Sequence, residues 1–572
     1  MIVTFWKSVF VADTSPDDVD ERKVLSKAGF KLHDAALCNL ENRFCKACRA
    51  KVGRRFWSDR IEAATRVRRA CNERALKVMR DHLARLRASA AMESDIDVPV
   101  PKGRTFLPFQ KAGIAYALSR KDTLIADEMG TGKTIQALGF VNKVEPANVL
   151  VLCPKTMVLT WADEAAKWLV RPYDILIPET KSDEIEASDG KFVITTYEKT
   201  IGDTPLSRSL KRTWDVLVLD EAHLIKNPES ARSIAVLGED GLMRRGHRTL
   251  FLTGTPIENY PKEIWPIAAA VCPAKFGDWW DFARRYCGLH KEERDGRVAW
   301  VSTGATNLGE LQQRLRATFM VRRLKSQVLP ELPPKRRQLV VLENAGKKWS
   351  EHPQFKRWKE VYERAYEEKM AAVESATTEV EYKRAARELE EFVGIAFTEV
   401  SEFRHATALA KLPLCLSYID DVLASGLDSL VIFAHHLDVL QKIKDHLGEE
   451  AVLVHGGTSL NDRKKAVEDF QAGRKKIFVG GLKAAGVGIT LTRSSTVIFV
   501  EIDWVPGVMN QAEDRLCRIG QRKMVHVIHL ILGETLDANM VRRVVKKQEV
   551  IDQALDRPPE QLQLTHPVKR SA

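Results

Sequence analysis

The chain has 572 residues, 44% of them hydrophobic and 29% charged, a length that supports about three or four domains rather than one compact core. No apolar run approaches the ~20 residues that cross a bilayer, and the N-terminus, broken by Lys7 and then by acids, lacks a secretory h-region, so a soluble intracellular protein is expected. Nine cysteines without framework spacing point to reduced thiols, and a net charge of +12 favours a polyanionic partner without naming it.

Residues 1–100 read as a small basic accessory module. Between Glu41 and Ala90 there are fifteen Lys or Arg against five Asp or Glu, so most of the excess charge sits there. Ile61, Ala64, Val67, Cys71, Ala75, Val78 and Leu86 recur at helical spacing and predict a helix from about Asp59 to Arg87. His33, Cys38, Cys45 and Cys48 contain the two-residue gap of a zinc knuckle, and both a structural zinc and ordinary reduced thiols fit them. The basic segment from Arg49, with Phe56 and Trp57 inside it, suits phosphate contacts and base stacking; a solvated helix with a packed tryptophan is the plainer reading.

In residues 101–275 the pattern changes to short β-branched runs, Val149–Leu152, Phe192–Thr195, Val216–Leu219 and Thr249–Leu252, alternating with helical stretches, which predicts a parallel sheet with crossover helices. Residues 276–410 read as a helical connector with protrusions, notably the charged stretch Lys356 to Glu391, and with "LPELPPK" as a hinge. There Arg322, Arg323 and Lys325 suit either phosphate contact or a charged hinge. A second α/β unit follows over 411–556, with strands at Leu430–Phe433, Val452–Val454, Ile477–Val479 and Thr496–Val500. The polar tail, 557–572, is expected to be disordered.

The chemistry concentrates in three segments. In "DTLIADEMGTGKTIQAL" a strand leads into a glycine-rich turn, Asp127, Glu128, Met129, Gly130, Thr131 and Gly132, and a helix opening at Lys133. Backbone N–H groups at that helix N-terminus suit a phosphate, Lys133 reaches the β- and γ-phosphates, and Thr134 suits Mg²⁺. Asp127 stands where a P-loop usually begins with glycine, and a solvated helix start is the bland alternative. "VLVLDEAH" delivers Asp220, suited to Mg²⁺, and Glu221, suited to orienting or deprotonating water, to the end of a strand; alone, an acidic helix cap would explain them as well. In "NQAEDRLCRIGQ" Arg515 and Arg518 are three residues apart on a predicted helix, hence on one face, and two guanidinium groups suit a charged phosphoryl transition state. A surface helix paired to Glu513 and Asp514 is the alternative.

These motifs, together with "LPFQKAGI", "LCPKTMVLTW", "LTGTP" and "VRRLKSQVLPELPPK", resemble in order those of superfamily-two helicases, and within them the Swi/Snf-type ATPases. "VIFAHHLDVL", "AAGVGITLT" and "VEIDWVPGVMNQAEDR" resemble the annealing-helicase, HARP-like branch most closely. The resemblance covers about Phe106 to Val550 and implies an α/β fold, a P-loop NTPase with two RecA-like parallel-sheet lobes, helical insertions between them and the basic N-terminal module. It further implies Gln110 as the adenine-reading residue, His223, Thr253, Gly254, Thr255 and Gln511 as coupling residues, and Pro154, Lys155, Thr156, Gly486, Gly488 and Thr490 as contacts to the DNA backbone. Thr131, Gln327, Val505 and Cys517 depart from the family's usual residues without removing a catalytic role.

The expected function is therefore ATP- and Mg²⁺-dependent translocation along, or remodelling and annealing of, duplex or forked DNA. A strand-separating helicase and a non-catalytic DNA-binding scaffold are the alternatives, and a monomer is expected over an obligate oligomer. Because no chromatin-reading unit is visible, a bacterial or phage protein of the cytoplasm or nucleoid is expected.

Overall fold

The computed structural model describes residues 2–6, 9–13, 31–33, 55–58, 73–258, 260–294, 297–302, 304–342, 397–482, 489–503, 506–532 and 563–564. Met1–Ala90 cluster as one compact unit, and the chain from Ala91 on, Arg316–Thr318 aside, as another. The first unit holds an antiparallel sheet of β1 (Ile2–Trp6), β2 (Val9–Asp13), β3 (Lys31–His33) and β4 (Arg55–Ser58), in the order β1-β2-β4-β3. A helix follows at Glu73–Ser89, on which Lys77, Arg80, Arg85 and Arg87 are exposed. The front of the expected helix, 59–72, lies outside the described residues.

The second unit contains two seven-stranded sheets, each entirely parallel. The first runs β13 (Met320–Val321), β5 (Asp122–Ile125), β10 (Gly246–Leu252), β9 (Trp214–Asp220), β6 (Val149–Cys153), β8 (Lys191–Thr196), β7 (Asp174–Leu176). The second runs β16 (Ala451–Val454), β17 (Ile477–Gly481), β15 (Leu430–Ala434), β18 (Thr496–Phe499), β19 (Val525–Leu532), β14 (Lys335–Leu342), β20 (Gln563–Leu564). Helices cover both faces, which is why "VLVLC" in β6 and "LVIFA" in β15 are apolar throughout and buried throughout. Each sheet has its own core, around Leu150, Leu217 and Phe251 in the first and Val431, Phe478 and Phe499 in the second.

The strands read from β-branched runs are all present, but the connector needs correcting. Residues 276–410 are not one helical insert: β13 completes the edge of the first sheet, β14 enters the second, and β11 (His290–Arg294) pairs with β12 (Arg297–Val301) as an antiparallel hairpin. The helix Phe397–Ala424 then buries Leu412, Cys415 and Ile419 in the second lobe. Lys356 to Glu391 lies outside the described residues. The tail is not wholly without structure either, because Gln338 and Leu339 of β14 pair with Gln563 and Leu564.

What fixes the first lobe's functional edge is a buried ion pair. Val321 accepts a backbone hydrogen bond from Ala126, Arg323 accepts one from Glu128, and the chain thereby continues β13 alongside the loop that leaves β5. Arg323 and Asp127 are both completely buried; Arg323 Nη2 lies 2.6 Å from Asp127 Oδ2, while Arg323 Nε and its backbone N–H donate to Oδ1 at 3.0 and 2.9 Å. Gln136 Nε2 donates to the same carboxylate at 2.9 Å, and Arg323 also reaches the Phe109 carbonyl. Such a pair is stabilising only while complete, since removing one partner leaves a charge uncompensated in a low-dielectric interior. Arg323→Met is expected to cost about 3–5 kcal/mol and to lower the midpoint of thermal unfolding; an unchanged midpoint would contradict this role for the pair.

Candidate nucleotide site at the carboxyl ends of the strands

β5, β10 and β9 are neighbours, so the segments that leave their carboxyl ends lie side by side: Ala126 to Gly132, Thr253 to Thr255, and Glu221 to His223. This is where open parallel sheets bind ligands. The turn after β5 closes on the helix Lys133–Val144 through Gly130 and Gly132, whose φ values of +81° and +83° favour glycine. The close approach matters as much as the φ values: a Cβ on Gly132 would stand 2.5 Å from Gln110 Nε2, and one on Gly254 would stand 2.4 Å from Met129 Sδ.

Lys133 Nζ donates to the carbonyls of Asp127 and Glu128 at 3.1 and 3.3 Å, folding back over the loop. Burial pushes its pKa down, against the pull of Glu221, Asp127 and Asp220. Gln110 Nε2 donates to the Thr131 carbonyl at 3.1 Å and its Oε1 accepts from the Leu107 N–H, tying the helix Pro108–Leu118 to the loop. Thr131 Oγ1 donates to the Glu128 carbonyl at 2.8 Å. Thr134 is half-buried in the first turn of the Lys133 helix. The Asp127 carboxylate is committed to Arg323 and Gln136, while its backbone carbonyl accepts from Lys133.

At the end of β9, Trp161 Nε1 donates to one oxygen of Asp220 at 2.8 Å and the Glu221 N–H to the other at 3.0 Å. Glu221 has φ +49°, a left-handed conformation that costs a non-glycine residue about 1–2 kcal/mol. The two carboxylates are driven apart in acidity: burial, then the neighbouring Glu221 charge, raises Asp220, whereas for Glu221 the upward push of burial is outweighed by His223, Lys133 and Arg515. His223 Nδ1 lies 3.3 Å from Glu221 Oε2 and 3.0 Å from Thr253 Oγ1, so one imidazole touches both the acidic and the threonine segments. Burial opposes its protonation, but Glu221 and Glu258 prevail and raise its pKa.

The second lobe reaches the same place. Gln511 Nε2 donates to Thr255 Oγ1 at 3.4 Å, and Arg518 packs on the glycine-rich turn so closely that a Cβ on Gly130 would stand 2.8 Å from its Cγ. Arg515 is buried, donates to the Ile489 carbonyl at 3.5 Å, and has its pKa pushed down to about 9 by burial and then by Arg518. The two arginines do not share a helical face as expected, because the helix Pro506–Glu513 ends before them and both lie on the turns that follow. Nor are they surface partners of Glu513 and Asp514. Those acids bind Lys335 and Arg337 of β14: Arg337 Nη2 donates to Glu513 at 2.6 Å and to Asn510 Oδ1 at 2.9 Å, and Lys335 Nζ to Asp514 at 2.9 Å.

Of the residues assigned to DNA, Pro154 to Thr156 form the turn after β6, with Lys155 exposed. Thr490 accepts from Arg518 Nη1 at 3.2 Å, linking it to the nucleotide edge. Gly486 and Gly488 lie outside the described residues, as does Val505. Arg322, Arg323 and Lys325 are all buried rather than presented to solvent, with Arg322 Nη1 donating to the Ala126 carbonyl at 2.7 Å. Cys38, Cys45 and Cys48 fall outside the described residues, and of His33 only the backbone in β3 is described; among the described residues no cluster of three His, Cys, Asp or Glu is arranged for a metal ion. No described helix is long and apolar enough to cross a membrane.

The model of the SNF2-related domain matches residues 78–390, and that of the helicase conserved C-terminal domain residues 415–520. The chain belongs to the SNF2-related family and is a helicase-like ATPase. It is 32% identical over 470 residues to the DNA annealing helicase and endonuclease ZRANB3 of Homo sapiens, covering 80% of this chain and 41% of that protein. It is 33% identical over 464 residues to the SWI/SNF-related matrix-associated actin-dependent regulator of chromatin subfamily A-like protein 1 of Xenopus tropicalis, covering 79% and 45%. The chain thus spans less than half the length of these curated relatives. The solved Sulfolobus solfataricus SWI2/SNF2 ATPase core in complex with dsDNA aligns with 81% of this chain and 94% of its own at 23% identity and a TM-score of 0.38. The curated relatives, which also include proteins of Caenorhabditis elegans and Drosophila melanogaster, correct the expectation of a bacterial or phage protein of the cytoplasm or nucleoid.

The Glu513 anchor has a pH signature. Burial alone would raise this carboxyl, but Arg337 and Lys335 hold it at about 2. Because that lies below the unfolded value of about 4.3, the stabilisation is complete above pH ~4.3 and is lost as the pH falls toward the folded pKa. Arg337→Met is expected to move acid unfolding of the second lobe to higher pH in a fluorescence titration; an identical acid profile would contradict the assignment.

Proposed function

We propose that the chain hydrolyses ATP to move along duplex or forked DNA, and that nucleotide binds between the two sheets. The observation that carries this reading is the contact of Arg518, from the second lobe, with Gly130 of the first. A phosphate held by the turn at Gly130 to Lys133 would sit between Lys133 on one side and Arg515 and Arg518 on the other, so its loss on hydrolysis would remove the charge that draws the lobes together. Glu221, kept ionised beside His223, orients or deprotonates the attacking water. Asp220 and Thr134 would hold Mg²⁺, which supplies positive charge to the phosphate oxygens. The fit rests on two adjacent buried carboxylates, of which Asp220 is disfavoured as an anion until a cation relieves it. His223, Thr253, Thr255 and Gln511 connect the acidic segment to the second lobe and would carry the change of state outward. In the same reading Gln110 holds the adenine side of the site once released from the Thr131 carbonyl.

DNA as the track is supported by family membership and by the positive charge gathered in residues 41–90. Pro154 to Thr156 and Thr490 would contact the phosphate backbone, and residues 1–100 would act as a basic accessory module on a chain working as a monomer. Backbone tracking needs no base readout, so sequence-independent movement is expected.

Steady-state ATP hydrolysis at fixed salt, without nucleic acid and with duplex, single-stranded, forked DNA and RNA, tests the proposal. Strong stimulation by duplex or fork is expected, and stimulation by single strands or RNA alone would replace it with a conventional helicase. Lys133→Ala should abolish turnover, and Glu221→Gln should bind ATP without hydrolysing it; hydrolysis retained by purified Glu221→Gln protein would refute the assignment of that carboxylate.

A further inference from the structure

Lys325 occupies a position that the roles above do not use. Its backbone N–H donates to Glu128 Oε2 at 2.8 Å, within the turn that carries Gly130 and Lys133. Its side chain runs the other way, into the second lobe, where Nζ lies 2.9 Å from Asp514 Oδ1 and donates to the Cys517 carbonyl at 2.8 Å. Asp514 immediately precedes Arg515, and Cys517 immediately precedes Arg518. The residue is buried, with 6% of its surface exposed, so these contacts are shielded from the solvent that weakens most lysine ion pairs. Arg322 and Arg323 fix the main chain just before it through the Ala126 carbonyl and the Asp127 carboxylate. One short segment therefore grips the glycine-rich turn at three successive residues and then the turn bearing both arginines.

We infer that Lys325 is a positioning residue for ATP hydrolysis: it sets the placement of Arg515 and Arg518 over the phosphate site without touching nucleotide itself. Those arginines stabilise charge only if their guanidinium groups stand within a fraction of an ångström of the transferred phosphoryl oxygens. The turns that carry them are held within the second lobe through Ile489, Thr490 and Lys335, and Lys325 adds the link that ties them to the glycine-rich turn. A flexible four-carbon stem ending in a compact charge suits this bridge, since one ammonium donates to a carboxylate and a carbonyl at once. The inference rests on Arg515 and Arg518 acting on the phosphate.

The test is Lys325→Met in the full chain, which keeps length and apolar bulk while removing the charge. Asp514 keeps Lys335 at 2.9 Å, so the variant is not left with a lone buried carboxylate. Expected are a kcat for DNA-stimulated hydrolysis lower by roughly 10- to 100-fold, a KM for ATP within about threefold of the parent, and loss of trapping by ADP with aluminium fluoride. Turnover and trapping equal to the parent's would overturn the inference, as would a fall in ATP affinity as large as the fall in kcat. Should Lys325→Met not fold, Asp514→Asn, which retains an acceptor, carries the same expectations and the same refutations. Arg515→Ala separates the two levels: if it turns over normally the arginine reading itself fails, whereas an inactive Arg515→Ala beside a fully active Lys325→Met sinks the positioning role alone.

Discussion

The functional edge of the molecule depends on the pairing of Asp127 with Arg323. A glycine-rich turn is by nature the least constrained part of a parallel sheet, and Lys133 is useful only if that turn holds one shape. Here the turn is bounded by a carboxylate with no exposed surface, matched by a guanidinium likewise sealed from water, and continued by backbone hydrogen bonds to β13. The aspartate at the position where a P-loop would begin with glycine becomes intelligible in this light. Its side chain stabilises the turn through Arg323 and Gln136 while its backbone carbonyl accepts from Lys133.

The same segment that supplies Arg323 also supplies Arg322 and Lys325, so shape in the glycine-rich turn and placement of the second lobe's arginines are linked through four consecutive residues. On the other side, Lys335 and Arg337 at the start of β14 hold Glu513, Asp514 and Asn510. Both ends of the passage between the sheets are therefore pinned to the end of the helix Pro506–Glu513 and the turns that follow it. A motor in which hydrolysis alters the relation of two lobes needs such defined attachments, because a loosely hinged pair would dissipate a change at the phosphate rather than transmit it.

Legibility in the sequence followed the range of the interactions. The strands β6, β8, β9, β10, β15, β16, β17 and β18 could be read because each is a short β-branched run whose burial is a local property. Lys133, Asp220 and Glu221 could be singled out because phosphoryl chemistry would call for those residue types beside strand ends, and Arg515 and Arg518 because two guanidinium groups would suit the same phosphate. The partner of Asp127 could not be found that way, since Arg323 lies 196 positions along the chain and charged residues in "MVRRLK" look like a solvated hinge. The helical face assigned to Arg515 and Arg518 failed for a related reason: spacing alone does not reveal that the helix stops at Glu513. Residues 276–410 misled because their high charge hides β13 and β14, which are sheet members only in the presence of β5 and β19.

Movement along the duplex is the central claim, and it is read most directly by displacement of a triplex-forming strand from a long duplex. ATP-dependent release of the third strand without separation of the duplex is the result that translocation predicts. Hydrolysis that duplex DNA stimulates fully, with the third strand left in place, would contradict it.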